Sequence, residues 1–373
     1  MHVRSSTHAS FRDLDSRPRS GFTTAVNIVL FGYPGTGKTT LFRLLTGAMA
    51  EAGSRGDGRK EPNVRARALP DERLDEIAGL YPEKKKVAAA AEFTDLAGAS
   101  FGEVKEGTFF DRLRKADGLV HVVRGFQDAS RPHPKGRISP ADDIRFMEEE
   151  LVLADLAAAQ ARLERLEKDL KKMKDPEAEK ERDLLVRLAA FLGEARSLRA
   201  FPFPPGEEKL VRSFSFLSLK PLLHMINLDE KDIAAAGLES GKVLTFCGSI
   251  ECEIQELAEE EKESFRAGYG LGESGTAKFF RELPGFLGIL TFYTVGKDEV
   301  RAWPVRKGAS AVTAAGAIHS DIEKGFIRAE VIFWDELVRR GSIQKAREAG
   351  AIRLEGKDYL VRDGDVIYFR FSQ

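Results

Sequence analysis

The apolar run Val26-Asn27-Ile28-Val29-Leu30-Phe31 passes directly into Gly32-Tyr33-Pro34-Gly35-Thr36-Gly37-Lys38-Thr39. That string satisfies GxxxxGK[ST], and a helical stretch from Thr40 to Ala48 follows it. A strand, a glycine-rich turn and a helix in this order form a cradle for an anion. The glycines let the backbone curl, and its N–H groups and the helix N-terminus face the charge. Tyr33, Pro34, Gly35, Thr36, Gly37, Lys38, Thr39 and Thr40 are therefore expected to contact a nucleotide. Lys38 is the countercharge for the outer phosphates and the catalytic cation, and the Thr39 hydroxyl is the expected Mg2+ ligand.

Further strand-like runs are Lys86 to Phe93, Leu119 to Val123, Pro221 to Ile226 and Val243 to Cys247, with helical stretches between several of them. Strands alternating with helices predict a doubly wound, mainly parallel sheet covered on both faces. This α/β nucleotide-binding domain is expected to span 25–141 and 218–287.

The alternation breaks between 142 and 217. Leu156, Ala159, Leu163, Leu166, Leu170 and Met173 step by three and four among charged residues, as in a coiled-coil helix. Lys174-Asp175-Pro176 reads as a turn, and Leu184, Leu188, Phe191, Ala195 and Leu198 form a second seam. Two such helices joined by a short turn predict an inserted antiparallel helical hairpin. From 288 to 373 short strands are expected at Ile289 to Thr294, Val300 to Pro304, Tyr359 to Val361 and Val366 to Phe371. Helical segments near Ser320 to Lys324 and Trp334 to Gly341 lie between them, giving a small α+β domain.

Two more elements complete the expected site. Asp95-Leu96-Ala97-Gly98 closes an apolar run, which places Asp95 to hold Mg2+ through water and the Gly98 N–H to sense a γ-phosphate. Asn227-Leu228-Asp229-Glu230 closes a strand at the edge where a base-reading loop belongs. Proteins specific for GTP carry NKxD there. With Leu228 for the lysine and Glu230 for the aspartate, Asn227 and Glu230 point to ATP, with GTP possible. Cys247 and Gly248, at the end of the last strand-like run, join the expected nucleotide contacts.

Composition narrows the setting. The chain has 373 residues, of which 31% are charged, yet the formal net charge is −1. No global basic field advertises nucleic acid, so no DNA is expected and any RNA contact needs a local patch. Arg162, Arg165, Lys168, Lys171, Lys172 and Lys174 crowd one end of the hairpin and are the candidate. The two cysteines, Cys247 and Cys252, fit neither a CxxC pair nor a disulfide framework, which suits a reducing compartment. No run reaches the roughly 20 apolar residues of a membrane span, so a cytoplasmic protein is expected. Residues 1–24 lack the apolar middle of a secretory signal and read as a disordered extension.

With these elements in order, the chain resembles the YchF group of Obg-like ATPases from Asn27 to its C-terminus. The likeness is densest at Lys297 to Val305, Ala315 to Val331, Leu354 to Tyr359 and Asp363 to Val366. Glu61-Pro62-Asn63, His121-Val122-Val123-Arg124 and Pro140-Ala141-Asp142-Asp143-Ile144 also match family stretches. The resemblance implies an ATPase core, a coiled-coil insertion, a C-terminal TGS domain of β-grasp fold, and association with the ribosome or ribosomal RNA. It further implies that Ala99 replaces a catalytic glutamine and that His133 is the candidate assisting hydrolysis. This chain departs from the family where Arg59 replaces a switch threonine. A slow ATPase switch is thus the leading expectation. A nucleotide-gated binder with negligible turnover, a GTP-preferring switch and a small-molecule kinase are its rivals.

Overall fold

The computed structural model describes residues 25–47, 62–96, 106–204, 206–233 and 242–372. The expected extension 1–24, together with Arg59, Gly98 and Ala99, lies outside the described residues. Along the chain the strands are β1 (Ala25–Phe31), β2 (Asn63–Ala68), β3 (Lys85–Val87), β4 (Ala90–Asp95), β5 (Gly118–Gly125) and β6 (Leu222–Leu228). They continue with β7 (Val243–Phe246), β8 (Ile289–Val295), β9 (Glu299–Arg306), β10 (Phe326–Phe333), β11 (Arg353–Glu355) and β12 (Asp365–Phe371). The helices that matter most below are α1 (Lys38–Thr46), α2 (Glu72–Gly79), α3 (Glu106–Arg114), α4 (Pro140–Leu170) and α5 (Pro176–Gly193).

The chain divides into two compact units. One holds 26–67 and 91–287, and the other holds Ala68–Ala90 together with the chain from Gly288 onward. This differs from the expected boundary, because residues 68–90 leave the nucleotide-binding unit and return to it. The cause lies in the run Lys86 to Phe93, which was expected to be one strand. It is two: β3 pairs in parallel with β9 through Lys85↔Glu299 and Val87↔Arg301, while β4 enters the other sheet.

The first unit carries a six-stranded sheet in the order β2-β4-β1-β5-β6-β7. The pairs β1–β5, β5–β6 and β6–β7 are parallel. β6 is buried along its whole length, as a strand covered on both faces must be. The order turns around at β1, whose carboxyl end feeds the glycine-rich loop, and ligands of open α/β sheets bind at such a switch point. Sequence reading gave no strand at β2 because it is polar and mostly exposed. Its Arg67 instead donates to the Leu45 carbonyl (2.6 Å) at the end of α1 and lies 4.9 Å from the Phe280 ring.

The helical insertion forms as expected. α4 spans 31 residues and α5 spans 18, and Asp175 caps α5 by accepting from the Glu177 and Ala178 amides, with Pro176 in the first turn. Ala159, Leu166, Leu184, Leu188 and Leu192 are buried at the seam, and Arg162 grips Glu181 with both ends of its fork (2.8 and 3.0 Å). Three seam positions depart from the expectation. α5 stops at Gly193, so Ala195 (φ 57°) lies beyond the helix and Leu198 in a separate turn, while Met173 is exposed.

The second unit has a mixed sheet in the order β11-β10-β12-β8-β9-β3. The hairpin β8–β9 is antiparallel, β12 runs parallel beside β8, and the helix Ala311–Ile318 packs its alanines into the core under Phe292, Trp303 and Phe369. This is the expected β-grasp arrangement. The expected strand Tyr359 to Val361 shrinks to a single bridge between Ser310 and Leu360, and β10 and β11 are additions.

Candidate nucleotide site

The site begins with two glycines that no other residue could replace without movement. Gly32 (φ 144°) lies so close to β5 that a Cβ there would stand 2.4 Å from the Val122 carbonyl oxygen. Gly37 (φ 95°) ends the loop in left-handed backbone ahead of α1, and a Cβ on it would meet Asn227 Nδ2 at 2.3 Å. Both leave the amides of α1 and the loop free to face a cleft of about 530 Å3.

Gly35, Gly37, Lys38, Thr39 and Thr40 line that cleft, as expected, along with Asn227 and Gly248. The Lys38 ammonium donates to the Tyr33 carbonyl at 2.7 Å, and Thr36 Oγ1 donates to the same oxygen at 3.1 Å. Burial brings Lys38 down from 10.5 to about 8, with Asp95 pulling the other way. Thr39 Oγ1 donates to Asp95 Oδ2 at 2.7 Å. Asp95 is itself buried, and desolvation raises its pKa against the opposing hydrogen bond from Thr39 and the charge of Lys38.

A hydroxyl and a carboxylate in contact beside an anion cradle suit Mg2+, which keeps water and phosphate oxygens and needs few protein ligands. Among the described residues no group of three or more His, Cys, Asp and Glu could hold a metal by itself. The donor set therefore fits an ion carried in with a phosphate chain, and Thr39 and Asp95 are the residues that would hold it.

At the other end of the cleft Asn227 is a brace. Its Nδ2 donates to the Thr36 carbonyl (3.3 Å) and its Oδ1 accepts from the Gly248 amide (3.0 Å). One side chain thus ties the phosphate loop to the start of the helix Gly248–Glu256.

Several expected residues stand elsewhere. Glu230 is exposed at the start of a short helix and does not line the cleft; Asp229 does, with its Oδ2 accepting from the Gln127 amide at 3.1 Å. Pro34 is exposed, Tyr33 is buried behind the loop, and Cys247 is a buried helix cap, while Ser249 and Cys252 reach the cleft in its place. Both thiols are free.

His133 is a buried residue of the loop between β5 and α4. Its Nε2 stands 3.0 Å from Asp143 Oδ2, its Nδ1 accepts from the Lys135 amide (3.2 Å), and its ring meets Tyr33 edge-on at 5.6 Å. Desolvation raises the pKa of Asp143 against the pull of His133.

Sequence reasoning missed Phe126 and Arg131, which also line the cleft. No local motif marks them; they come from the loop between β5 and α4. Among the described residues no helix is long and apolar enough to cross a membrane.

Comparison with known proteins agrees with this geometry. Residues 27–153 match a family described as 50S ribosome-binding GTPase, and 289–372 match the YchF-GTPase C-terminal family, described as a protein of unknown function (DUF933). The chain is 39% identical over 366 residues to the ribosome-binding ATPase YchF of Bacillus subtilis (strain 168), covering 93% of this chain and 100% of the relative. It is 37% identical to the protein of the same name from Escherichia coli O157:H7 (92% and 98% covered), and 32% identical to Obg-like ATPase 1 of Oryza sativa subsp. japonica (95% of each). The solved structure of the Schizosaccharomyces pombe YchF GTPase superposes with a TM-score of 0.77 at 25% identity, over 92% of this chain and 97% of that one. The likeness runs through the phosphate loop, the inserted hairpin and the C-terminal unit, and the chain belongs to the YchF family of Obg-like ATPases.

Proposed function

We propose that this chain is a slow, Mg2+-dependent nucleoside triphosphatase that prefers ATP to GTP and uses the nucleotide to control association with the ribosome in the cytoplasm. The observation that carries the reading is the single cleft on which Lys38, Thr39 with Asp95, and Asn227 converge. Phosphates would draw Lys38 from the Tyr33 carbonyl, and the amides around Gly35 and Gly37 would hold the charge that builds up as the terminal phosphoryl group departs. Mg2+ bound with the nucleotide adds countercharge at that group. Phe126 and Leu228, apolar residues of the cleft wall, provide a surface for the flat face of a base.

Preference for ATP rests on Leu228 and Glu230, which replace the lysine and the aspartate of the guanine-reading NKxD, while Asp229, the acid that lines the cleft, already accepts from the Gln127 amide. The ribosome enters through the names of the bacterial relatives, which are called ribosome-binding ATPases. Exposed Arg165, Lys168, Lys171 and Lys174 at one end of the hairpin supply a place for RNA phosphates.

Phosphate release from ATP and GTP, measured with the wild type and Lys38→Ala, tests the reading. Release from ATP that disappears in the variant is expected, and an unchanged rate overturns the proposal. A second reading, nucleotide-gated binding with negligible turnover, is favoured by His133, whose side chain is 2% exposed and faces Asp143 instead of the cleft. Tight nucleotide binding without phosphate release over hours supports that second reading.

A further inference from the structure

Arg124, at the end of β5, is 1% exposed and is the bulkiest fully enclosed side chain among the described residues. Among the described residues its guanidinium makes no ion pair. It donates three hydrogen bonds, all to main-chain carbonyls of one loop: Nε to Phe126 (3.0 Å), Nη1 to Arg131 (2.6 Å) and Nη2 to Asp128 (3.1 Å). The guanidinium carbon also lies 4.7 Å from the Phe126 ring centroid.

Burying a cation is costly unless something compensates it, and a carboxylate is the usual partner. Carbonyl dipoles satisfy the donors here, and the only acid seen to feel the charge among the described residues is Asp128, beyond ion-pair distance. The planar fork matters as much as the charge, since a lysine could not reach three divergent carbonyls at once. The location explains why this arrangement is worth keeping. A Cβ placed on Gly35 of the phosphate loop would stand 3.9 Å from Arg124 Nη1, and the clamped loop supplies Phe126 and Arg131 to the wall of the cleft.

We propose that Arg124 is a positioning residue for the nucleotide. By clamping the carbonyls of Phe126, Asp128 and Arg131 beside Gly35, it fixes the β5–α4 loop as one wall of the cleft. The proposal rests on the cleft being the nucleotide site. Arg124 touches no reacting atom and acts through the loop, so it sets affinity and leaves the chemical step largely alone.

The test uses the full chain with Arg124→Lys, Phe126→Ala and the double variant. Affinity for ADP and ATP is read by calorimetry, with KM and kcat for phosphate release and the thermal midpoint without ligand. Losing the fork costs about 10- to 100-fold in affinity and KM, the size expected for hydrogen bonds from a charged group, with kcat within about threefold. The double variant binds no more than about twofold worse than Phe126→Ala alone, because both act through one wall. Affinity equal to wild type in a cooperatively melting Arg124→Lys, additive losses in the double variant, or a collapse of kcat at unchanged KM overturns the proposal. Arg124→Gln replaces Arg124→Lys if the latter does not melt cooperatively, and failure of both to do so assigns Arg124 to folding instead. A wild-type chain that binds no nucleotide sinks the functional reading itself, an outcome distinct from any of these.

Discussion

Thr39 Oγ1 donates to Asp95 Oδ2 at 2.7 Å, so the first turn of α1 and the end of β4 are joined across the place where a metal ion would sit. Asn63, the first residue of β2, also favours the charged form of Asp95. A helix and two strands of the sheet therefore bear on one carboxylate. Thr39→Val and Asp95→Asn are each expected to remove most of the Mg2+-dependent part of ATP affinity, about tenfold or more, because both serve the same ion. The double variant should lose little beyond either single one. Calorimetric titrations with and without Mg2+ check this, and full additivity would show that the two side chains act independently.

The low pKa of Lys38 gives opposite pH trends for binding and stability. Burial holds it at about 8 in the empty cleft, below its ordinary 10.5. Phosphate oxygens favour the ammonium, so the bound form takes up a proton, and nucleotide affinity should fall as pH rises above about 8. The unfolded chain keeps its lysine protonated up to about 10.5 and so binds more protons than the native state between those values. The contribution of this group to the stability of the ligand-free protein therefore rises with pH over the same window. Affinity and urea midpoints measured from pH 7 to 10 check both trends, and Lys38→Met should flatten each.

Much of this site was legible before any coordinates because its chemistry depends on backbone shape, and backbone shape shows in glycine spacing. Gly32, Gly35 and Gly37 announce the loop, and Lys38 and Thr39 follow at fixed distances. Asp95 was legible as the polar end of a buried run. Asn227 was found for its place at a strand end, although its observed work is to brace Thr36 against Gly248. The neighbouring assignment slipped by one residue, since whether Asp229 or Glu230 faces the cleft depends on how the chain turns after β6. Arg124, Phe126 and Arg131 were out of reach, because a three-carbonyl clamp leaves no sequence spacing to read. The parting of β3 from β4 was equally hidden. Lys86 to Phe93 is continuous in pattern, and only the distant partner β9 separates its two halves.

Asp155 should prove a principal fastening of the hairpin root. It is fully buried in α4 and accepts from the Leu217 amide (2.9 Å), the Ser218 amide (2.7 Å) and Arg114 (3.1 Å). Desolvation raises its pKa, opposed by those same donors. Asp155→Ala would strand two buried amides and take the carboxylate from Arg114, a loss of about 3–5 kcal/mol. Asp155→Asn retains one acceptor oxygen and should lose less. Urea unfolding checks this through a lower midpoint at unchanged slope. A loss under about 1 kcal/mol for Asp155→Ala would mean that water or a shifted loop replaces the carboxylate.

Residues 68–90 make the C-terminal unit more than an appendage to the nucleotide-binding chain. Leu74 and Ile77 of α2 are buried with Tyr293, Val300, Ala302, Ile332 and Val366. Tyr293 Oη donates to Asp71 (2.6 Å) and Arg73 donates to Asp363 (2.7 Å), while β3 completes the sheet beside β9. A chain ended after Leu287 keeps α2 and β3 but removes Tyr293, Val300, Ala302, Ile332 and Val366, the core they pack into. Each large apolar side chain uncovered forfeits about 1.5–3 kcal/mol of burial, and β3 becomes an unpaired edge. Such a chain should bind a hydrophobic dye and self-associate. A second chain, with 69–89 also replaced by a short Gly/Ser linker, should be monomeric, free of dye and able to bind nucleotide, because the removed segment contributes nothing to the cleft. Light scattering and dye fluorescence on the two chains decide the matter. A monomeric, dye-free protein from the simple truncation would show that α2 and β3 find their stability without the C-terminal sheet.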